Sequence, residues 1–277
     1  MTVAFCYDEL IKAAGIKQGM TIDIVIDLFN VIMQCKANGQ RFEAQEFIDA
    51  LKNAVGNNGN VLIRTFNWDW CHGKGFNAKT TASQVGSLGN VAMKRLDFKR
   101  TRHPIYSWMV WGKNQNYLCN LDYVESFDER SIFAWEEKNK DAYQVNIGNP
   151  QVVGLTLFHY VEKEVGVSYR YIKNFTDSYT DENGITSEKT YSMYVRDLDY
   201  QIETVFSVYD DLLLKKGIMK KMFYEGIDIT SYKIQELCAT YVEDIKKNGK
   251  PSGVSLVPLQ DRKYGMNYPK GAENLNE

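Results

Sequence analysis

Residues 61–65 (VLIRT) constrain the fold more than any other stretch, because they are apolar at consecutive positions and not at alternate ones. Successive strand side chains point to opposite sheet faces, so such a strand needs cover on both. That predicts a buried strand in a parallel or mixed sheet. The flanking segments supply the layers. Residues 7–14 read as a short helix followed by a turn at Gly15 and Gly19. Residues 22–28 read as a β-branched strand interrupted by Asp23 and Asp27. Residues 44–55 (AQEFIDALKNAV) place apolar residues at helical spacing until a Gly-Asn-Asn-Gly stop. Helix, strand, helix, strand predicts the α/β class: a central mixed sheet with helices on both faces.

Further along, residues 66–80 carry Trp68, Trp70, Gly73, Gly75 and Phe76 and read as a long loop. Thr80 or Thr81 is placed to cap a helix through Val85, Leu88, Val91 and Met93. Strands are predicted at 105–111 and 117–119, and a helix at 156–164. Residues 167–175 and 188–196 alternate polar with apolar around Asn183-Gly184, a hairpin signal. Helices are predicted at 198–214 and 229–247, with an irregular tail after Pro251. A single domain over 1–277 accommodates these elements, with 176–277 as a C-terminal substrate-specificity region.

Composition removes several classes of function. The net charge is -2 with charges of both signs mixed along the chain, so no basic field exists to hold nucleic acid. No apolar stretch approaches the ~20 residues that span a bilayer, and the N-terminus lacks the basic start and long apolar run of a signal peptide. The five cysteines, Cys6, Cys35, Cys71, Cys119 and Cys238, form no CxxC pair. An odd number without such pairs argues against a disulfide framework or a structural zinc, and fits a reducing cytoplasm.

Three histidines are available for chemistry: His72, His103 and His159. On a helix His159 and Glu162 share a face, and a carboxylate beside an imidazole fixes its tautomer and stabilises the imidazolium. That suits a general base near neutral pH. Taken alone, the spacing is more often a helical ion pair or a satisfied core histidine. Residues 80–86 (TTASQVG) set hydroxyls at an expected helix start, where free N–H groups can meet developing negative charge. A plain helix cap explains them equally well. Residues 102–107 (RHPIYS) bring a cation and hydroxyls into a turn that structure alone would also justify. Cys71-His72 is a poor nucleophile and base pair, since adjacent side chains on an extended segment diverge. No ligand spacing supports a metal.

Together these segments resemble the aminoglycoside 3-N-acetyltransferases and related antibiotic N-acetyltransferases. That family carries T-P-S-x-x-G, then R-S-x-H-P-x-x-S, then H-x-x-E. Here the order is kept by Thr81 to Gly86 (TASQVG), Arg102 to Ser107 (RHPIYS) and His159 to Glu162 (HYVE). Residues 10–20 (LIKAAGIKQGM) are similar to the family's first helix and turn. Ala82 replaces the family proline, one residue is missing between Arg102 and His103, and the His-Ser pair after the first strand is replaced by Ile-Asp-Leu-Phe. The resemblance implies the family fold and an acyl-CoA co-substrate, acetyl-CoA in particular, with no permanently bound cofactor. His159 would accept the proton of the attacking amine and Glu162 would hold it. Ser83 or Thr81 would lie near the thioester carbonyl, and Thr81, Arg102, His103 and Ser107 along the coenzyme A arm.

The amine is the open choice. An aminoglycoside is a polycation and wants carboxylates, for which Asp197, Asp199, Glu203, Asp210 and Asp211 are candidates, though a solvated helix face explains them as well. A nucleotide-linked amino sugar wants arginine or lysine and aromatic surfaces. The stretches 169–175 (YRYIKNF) and 66–79 offer both. The sequence therefore leads to an N-acyltransferase of nucleotide-linked amino sugars, as in the anthrose-pathway relatives of the family. An aminoglycoside acetyltransferase stands second, and a non-catalytic carbohydrate-binding protein third.

Overall fold

The computed structural model describes residues 6–148, 155–205 and 207–258. In chain order its elements are α1 (Tyr7–Ala13), β1 (Thr21–Ile26), α2 (Leu28–Ala37), α3 (Ala44–Val55), β2 (Asn60–Arg64), β3 (Phe76–Asn77) and α4 (Ser87–Ala92). Then follow β4 (Lys99–Arg100), β5 (Trp108–Gly112), α5 (Gln115–Asn120), α6 (Ile132–Lys138), β6 (Ala142–Ile147) and α7 (Leu155–Val165). The remainder is β7 (Arg170–Thr180), β8 (Thr186–Arg196), β9 (Tyr200–Thr204), α8 (Ser207–Lys215), β10 (Met219–Tyr224), β11 (Ile227–Lys233), α9 (Ile234–Asn248) and β12 (Val254–Pro258).

The fold is α/β with a central mixed sheet, as expected. Its seven strands run β10-β11-β6-β1-β2-β5-β4. β1 lies parallel to β2 and to β6 at the centre, and the outer pairings are antiparallel. The run at 61–65 behaves as its composition demands. Val61 and Ile63 enter a core with α1, α2, α3 and α4, whereas Leu62 enters the core on the other face with α6, α7, α8 and α9. Helices thus cover both faces, and each buried strand residue loses its apolar surface to one layer or the other.

The Asn183-Gly184 hairpin forms, with β7 and β8 paired along their whole length and β3 added parallel to β7. Several expectations need correction. The first strand stops at Ile26, because the Asp27 carboxylate accepts the Phe29 N–H and caps α2, a helix not foreseen. Residues 66–80 contain a 3-10 turn (Asp69–His72) and β3. The helix beyond Thr81 begins only at Ser87, behind Gly86, with no side-chain cap. Neither Thr80 nor Thr81 caps it. Instead the Thr81 hydroxyl accepts the Asn77 N–H. The strand foreseen at 105–111 begins at Trp108, and 117–119 is helical within α5.

The helix foreseen at 198–214 divides into β9 and α8, and that at 229–247 into β11 and α9. In both places strand pairing captures the opening residues. The tail is not irregular throughout, since β12 pairs with β9; residues 259–277 lie outside the described residues, as does the Gly154 that opens the His159 stretch. No helix among the described residues is long and apolar enough to cross a membrane.

Candidate active site

His159 and Glu162 stand one turn apart on α7, with His159 Nδ1 2.7 Å from Glu162 Oε2. The carboxylate is 1% exposed, whereas 26% of the histidine side chain remains accessible. Tyr169, just ahead of β7, and Arg170, its first residue, complete the cluster. Tyr169 donates its phenol to Glu162 Oε1 at 2.5 Å, and Arg170 pairs with Glu162, Nε to Oε2, at 2.7 Å. The Arg170 Nη2 also lies 3.5 Å from His159 Nε2.

The electrostatics of this cluster have a definite sign. Burial holds the His159 pKa below its ordinary value, and the charges of Arg170 and Arg196 act in the same direction against the support of Glu162. Burial works to raise the Glu162 carboxyl, but the contacts with His159 and Arg170 outweigh it and leave the group below its usual range. At neutral pH the pair is therefore a neutral imidazole on an ionised carboxylate. In that state Nδ1 is the donor to Glu162 and Nε2 carries the lone pair.

His159 opens into a cavity of about 960 Å³. Its floor is the carboxyl end of the parallel strands, Ile24 to Ile26 of β1 and Ile63 and Arg64 of β2. Ligands of open α/β sheets bind outside those ends. Gln84, Val85 and Gly86 form one wall ahead of α4, the turn from Trp68 to Lys74 a second, and β8 with Ile202 and Thr204 of β9 a third. Arg64, Lys74, Arg170 and Arg196 line the space, and Asp69 is the carboxylate among its described lining residues. Asp23 on β1 anchors Arg64 from behind, with Nη2 to Oδ2 2.5 Å.

Of the remaining sequence-predicted residues, Thr81, Ser83, Arg102, His103 and Ser107 are not among the described lining residues, whereas His72 is. The Ser83 hydroxyl accepts the Val85 N–H at 3.2 Å and so shapes the Gln84 to Gly86 wall. Ser107 is fully buried and bonds Thr65. Arg100, which sequence reasoning missed, ties these pieces together by donating to the Thr81 carbonyl at 2.6 Å, the Thr65 carbonyl at 3.0 Å and the Ser107 hydroxyl at 3.1 Å. Arg102 faces Asn120 and Glu182 near the surface. His103 is packed against Tyr123 and Tyr191, accepts the Tyr106 N–H, and is pushed by burial to a pKa of about 3. It is a neutral core residue. Cys71 packs with its sulfur 3.9 Å from that of Met193, and the adjacent His72 turns Nδ1 to the Trp68 carbonyl.

A family model described as aminoglycoside 3-N-acetyltransferase matches residues 37–246. The chain belongs to the aminoglycoside 3-N-acetyltransferase family. It is accordingly a CoA-dependent N-acyltransferase, with acetyl-CoA as the co-substrate that fits the family.

Solved structures show the same fold at low identity. Sisomicin-bound AAC-VIa is 17% identical, with 89% of this chain and 99% of that one covered at a TM-score of 0.72. AAC-IIIb in its binary complex with CoASH is 16% identical, with 89% and 96% covered at 0.70. The YokD protein from Bacillus subtilis is 19% identical, with 88% and 93% covered at 0.69. No curated protein matches the chain.

Proposed function

We propose that this family member N-acylates the amine of a nucleotide-linked amino sugar, with His159 as general base. The charge of the cavity carries the acceptor assignment. A polycationic aminoglycoside needs carboxylates, yet none of Asp197, Asp199, Glu203, Asp210 and Asp211 is among the lining residues. Glu203 sits between Ile202 and Thr204, which face the cavity, so strand alternation turns it away. Arginines and a lysine, with the half-buried Trp68 as a flat apolar surface, suit a diphosphate and a base instead. Such an acceptor fits the family branch that serves surface-polysaccharide synthesis.

In the reaction the neutral amine attacks the thioester carbonyl carbon and the C–N bond forms as Nε2 of His159 takes the amine proton. Collapse breaks the C–S bond, and the departing CoA thiolate recovers that proton. Glu162 orients the imidazole and stabilises the transient imidazolium. Transfer is direct, without an acyl-Cys71 intermediate. Ser83 acts through the Gln84 to Gly86 wall along which the thioester lies, with Arg100, Thr81 and Ser107 bracing that wall.

A second reading, aminoglycoside acetylation, is favoured by the family and by the sisomicin-bound neighbour. One assay separates the two. Free-thiol release from acetyl-CoA is followed with a nucleotide-linked 4-amino sugar and with a kanamycin-type amine. Turnover is expected with the former, and turnover with kanamycin alone overturns the acceptor assignment. His159→Asn should lower kcat by ~10²–10⁴ with the fold retained. Near-normal turnover of that variant would remove His159 as the base.

A further inference from the structure

Acyl transfer creates two charges at once beside His159. The imidazole becomes positive as it takes the amine proton, and the thioester oxygen becomes negative as the C–N bond forms. The structure holds one fixed charge of each sign at this point. Glu162 lies 2.7 Å from Nδ1 of the ring and serves the imidazolium. Arg170 stands at the other ring nitrogen, with Nη2 3.5 Å from Nε2. The two residues are themselves an ion pair, so the cluster is balanced in the free enzyme.

Arg170 is fixed before any substrate arrives. Its Nε lies 2.7 Å from Glu162 Oε2, its Nη1 3.5 Å from the Tyr194 carbonyl, and only 7% of the side chain is exposed. It nevertheless lines the cavity. An amine seated on Nε2 stands about 2.6–3.2 Å from it, and the oxygen of the tetrahedral intermediate is two bonds from that amine nitrogen. An oxygen on the Nη2 side of the amine therefore comes within hydrogen-bond reach of Arg170. The 3.5 Å contact of Nη2 with Nε2 is at the long limit of a hydrogen bond and is readily exchanged when the amine takes over that lone pair.

We propose that Arg170 is a catalytic residue whose Nη2 donates to the thioester carbonyl oxygen and stabilises its developing negative charge. The carbonyl π pair moves onto that oxygen as the C–N bond forms and returns as the C–S bond breaks. A charged donor already held in place is the kind that lowers such a barrier most. Ser83, expected near this carbonyl, is not among the described lining residues, and its hydroxyl turns to the Arg64 carbonyl at 3.5 Å. The role of Arg170 rests on His159 as the base, which places the amine, and is independent of which amine is acylated.

The test reads the carbonyl directly. The ketone analogue of acetyl-CoA, with a methylene in place of the thioester sulfur and an isotope label at the carbonyl, is bound without acceptor and its infrared stretch is recorded. The stretch should lie at lower frequency on the wild-type enzyme than on Arg170→Met, with Arg170→Lys between them. A wild-type frequency no lower than that of the analogue in an apolar solvent overturns the assignment, whether or not the variants fold. So does a shift that persists in Arg170→Met and is lost in Thr156→Val, since Thr156 is the hydroxyl that lines the cavity one turn before His159. In turnover, Arg170→Met should lower kcat by ~10²–10³ at pH values above the His159 midpoint, and Arg170→Lys should recover part of the loss. If Arg170 acts only on the imidazole, the pH profile moves while that plateau stays unchanged, and the donor role falls. Normal turnover of His159→Asn with the carbonyl shift intact removes the base and leaves the donor, whereas slow turnover of His159→Asn with an unshifted carbonyl removes the donor and leaves the base.

Discussion

His159 is governed by opposing neighbours, and each can be removed singly. Burial, Arg170 and Arg196 depress its pKa, while Glu162 supports the charged form. With only three histidines in the chain, its ring is readily followed by NMR titration. Its midpoint should fall below the ordinary 6.5. Arg170→Met should move it upward and Glu162→Gln further downward, and the acidic limb of kcat should follow in the same order. The opposite order would mean that Arg170 does not act on the imidazole through its charge.

Glu136 offers a separate residue-scale test. It is fully buried on α6, neither carboxyl oxygen has a hydrogen-bond partner among the described residues, and burial with Asp23 nearby raises its pKa well above the usual range. The folded state keeps the proton and the unfolded state releases it, so this group's contribution to stability declines as pH rises above the unfolded value, until the folded pKa is reached. Glu136→Gln should therefore raise Tm at pH 8 and lose that advantage toward pH 4. Each 1 kcal/mol gained corresponds to ~2–4 °C.

At the scale of elements, the wall beside His159 depends on how closely α4 approaches β2. A Cβ on Gly89 would lie 2.5 Å from the Arg64 carbonyl oxygen and 2.9 Å from Thr65 Cγ2. Gly89→Ala should cost about 1–3 kcal/mol of stability through overpacking, and should raise KM because α4 carries the Gln84 to Gly86 wall with it. A thermal melt and a KM measurement check both, and an unchanged melt would show that α4 adjusts freely.

The same scale explains what sequence reading could reach. His159 and Glu162 were legible because helical spacing alone makes them neighbours, and residues 61–65 because their apolarity implied two covered faces. Arg170 was not legible as a partner of Glu162, since the strand that carries it is aimed by hairpin pairing and not by local pattern. The helix α2 escaped notice because Phe29, Ile32 and Met33 on it are exposed while Val31 and Cys35 are buried, which leaves no clean apolar stripe. The β11 and α9 boundary carries no glycine or proline, so only the pairing of Ile229 with Ile147 reveals the strand. Arg102 and His103 matched a family spacing, but Arg100 rather than Arg102 reaches Ser107 and Thr81, as the missing residue between Arg102 and His103 had hinted.

For the molecule as a whole, the cavity is closed by chain segments far apart in sequence. Strands β1 and β2 give the floor, α7 contributes His159, and β8 and β9 form the far wall. The far wall depends on the last described strand, because β12 pairs with β9 through Leu256 opposite Ile202 and Val254 opposite Thr204, whose partners on β9 line the cavity. Gly253 admits β12 to that position. Its carbonyl accepts the Val205 N–H at 2.8 Å, and a Cβ there would meet the Val205 carbonyl oxygen at 2.7 Å and the Tyr209 ring at 2.8 Å. Gly253→Val should displace β12 and loosen β9 without touching His159 or the central sheet. The expected result is a several-fold rise in acceptor KM with the His159 titration midpoint unchanged. Tm should drop as well, by the equivalent of about 1–3 kcal/mol, because the new side chain overpacks the buried Tyr209 ring. A fall in kcat with unchanged KM would instead place β9 in the organisation of the reacting groups, and would move the acceptor-binding wall elsewhere in the cavity.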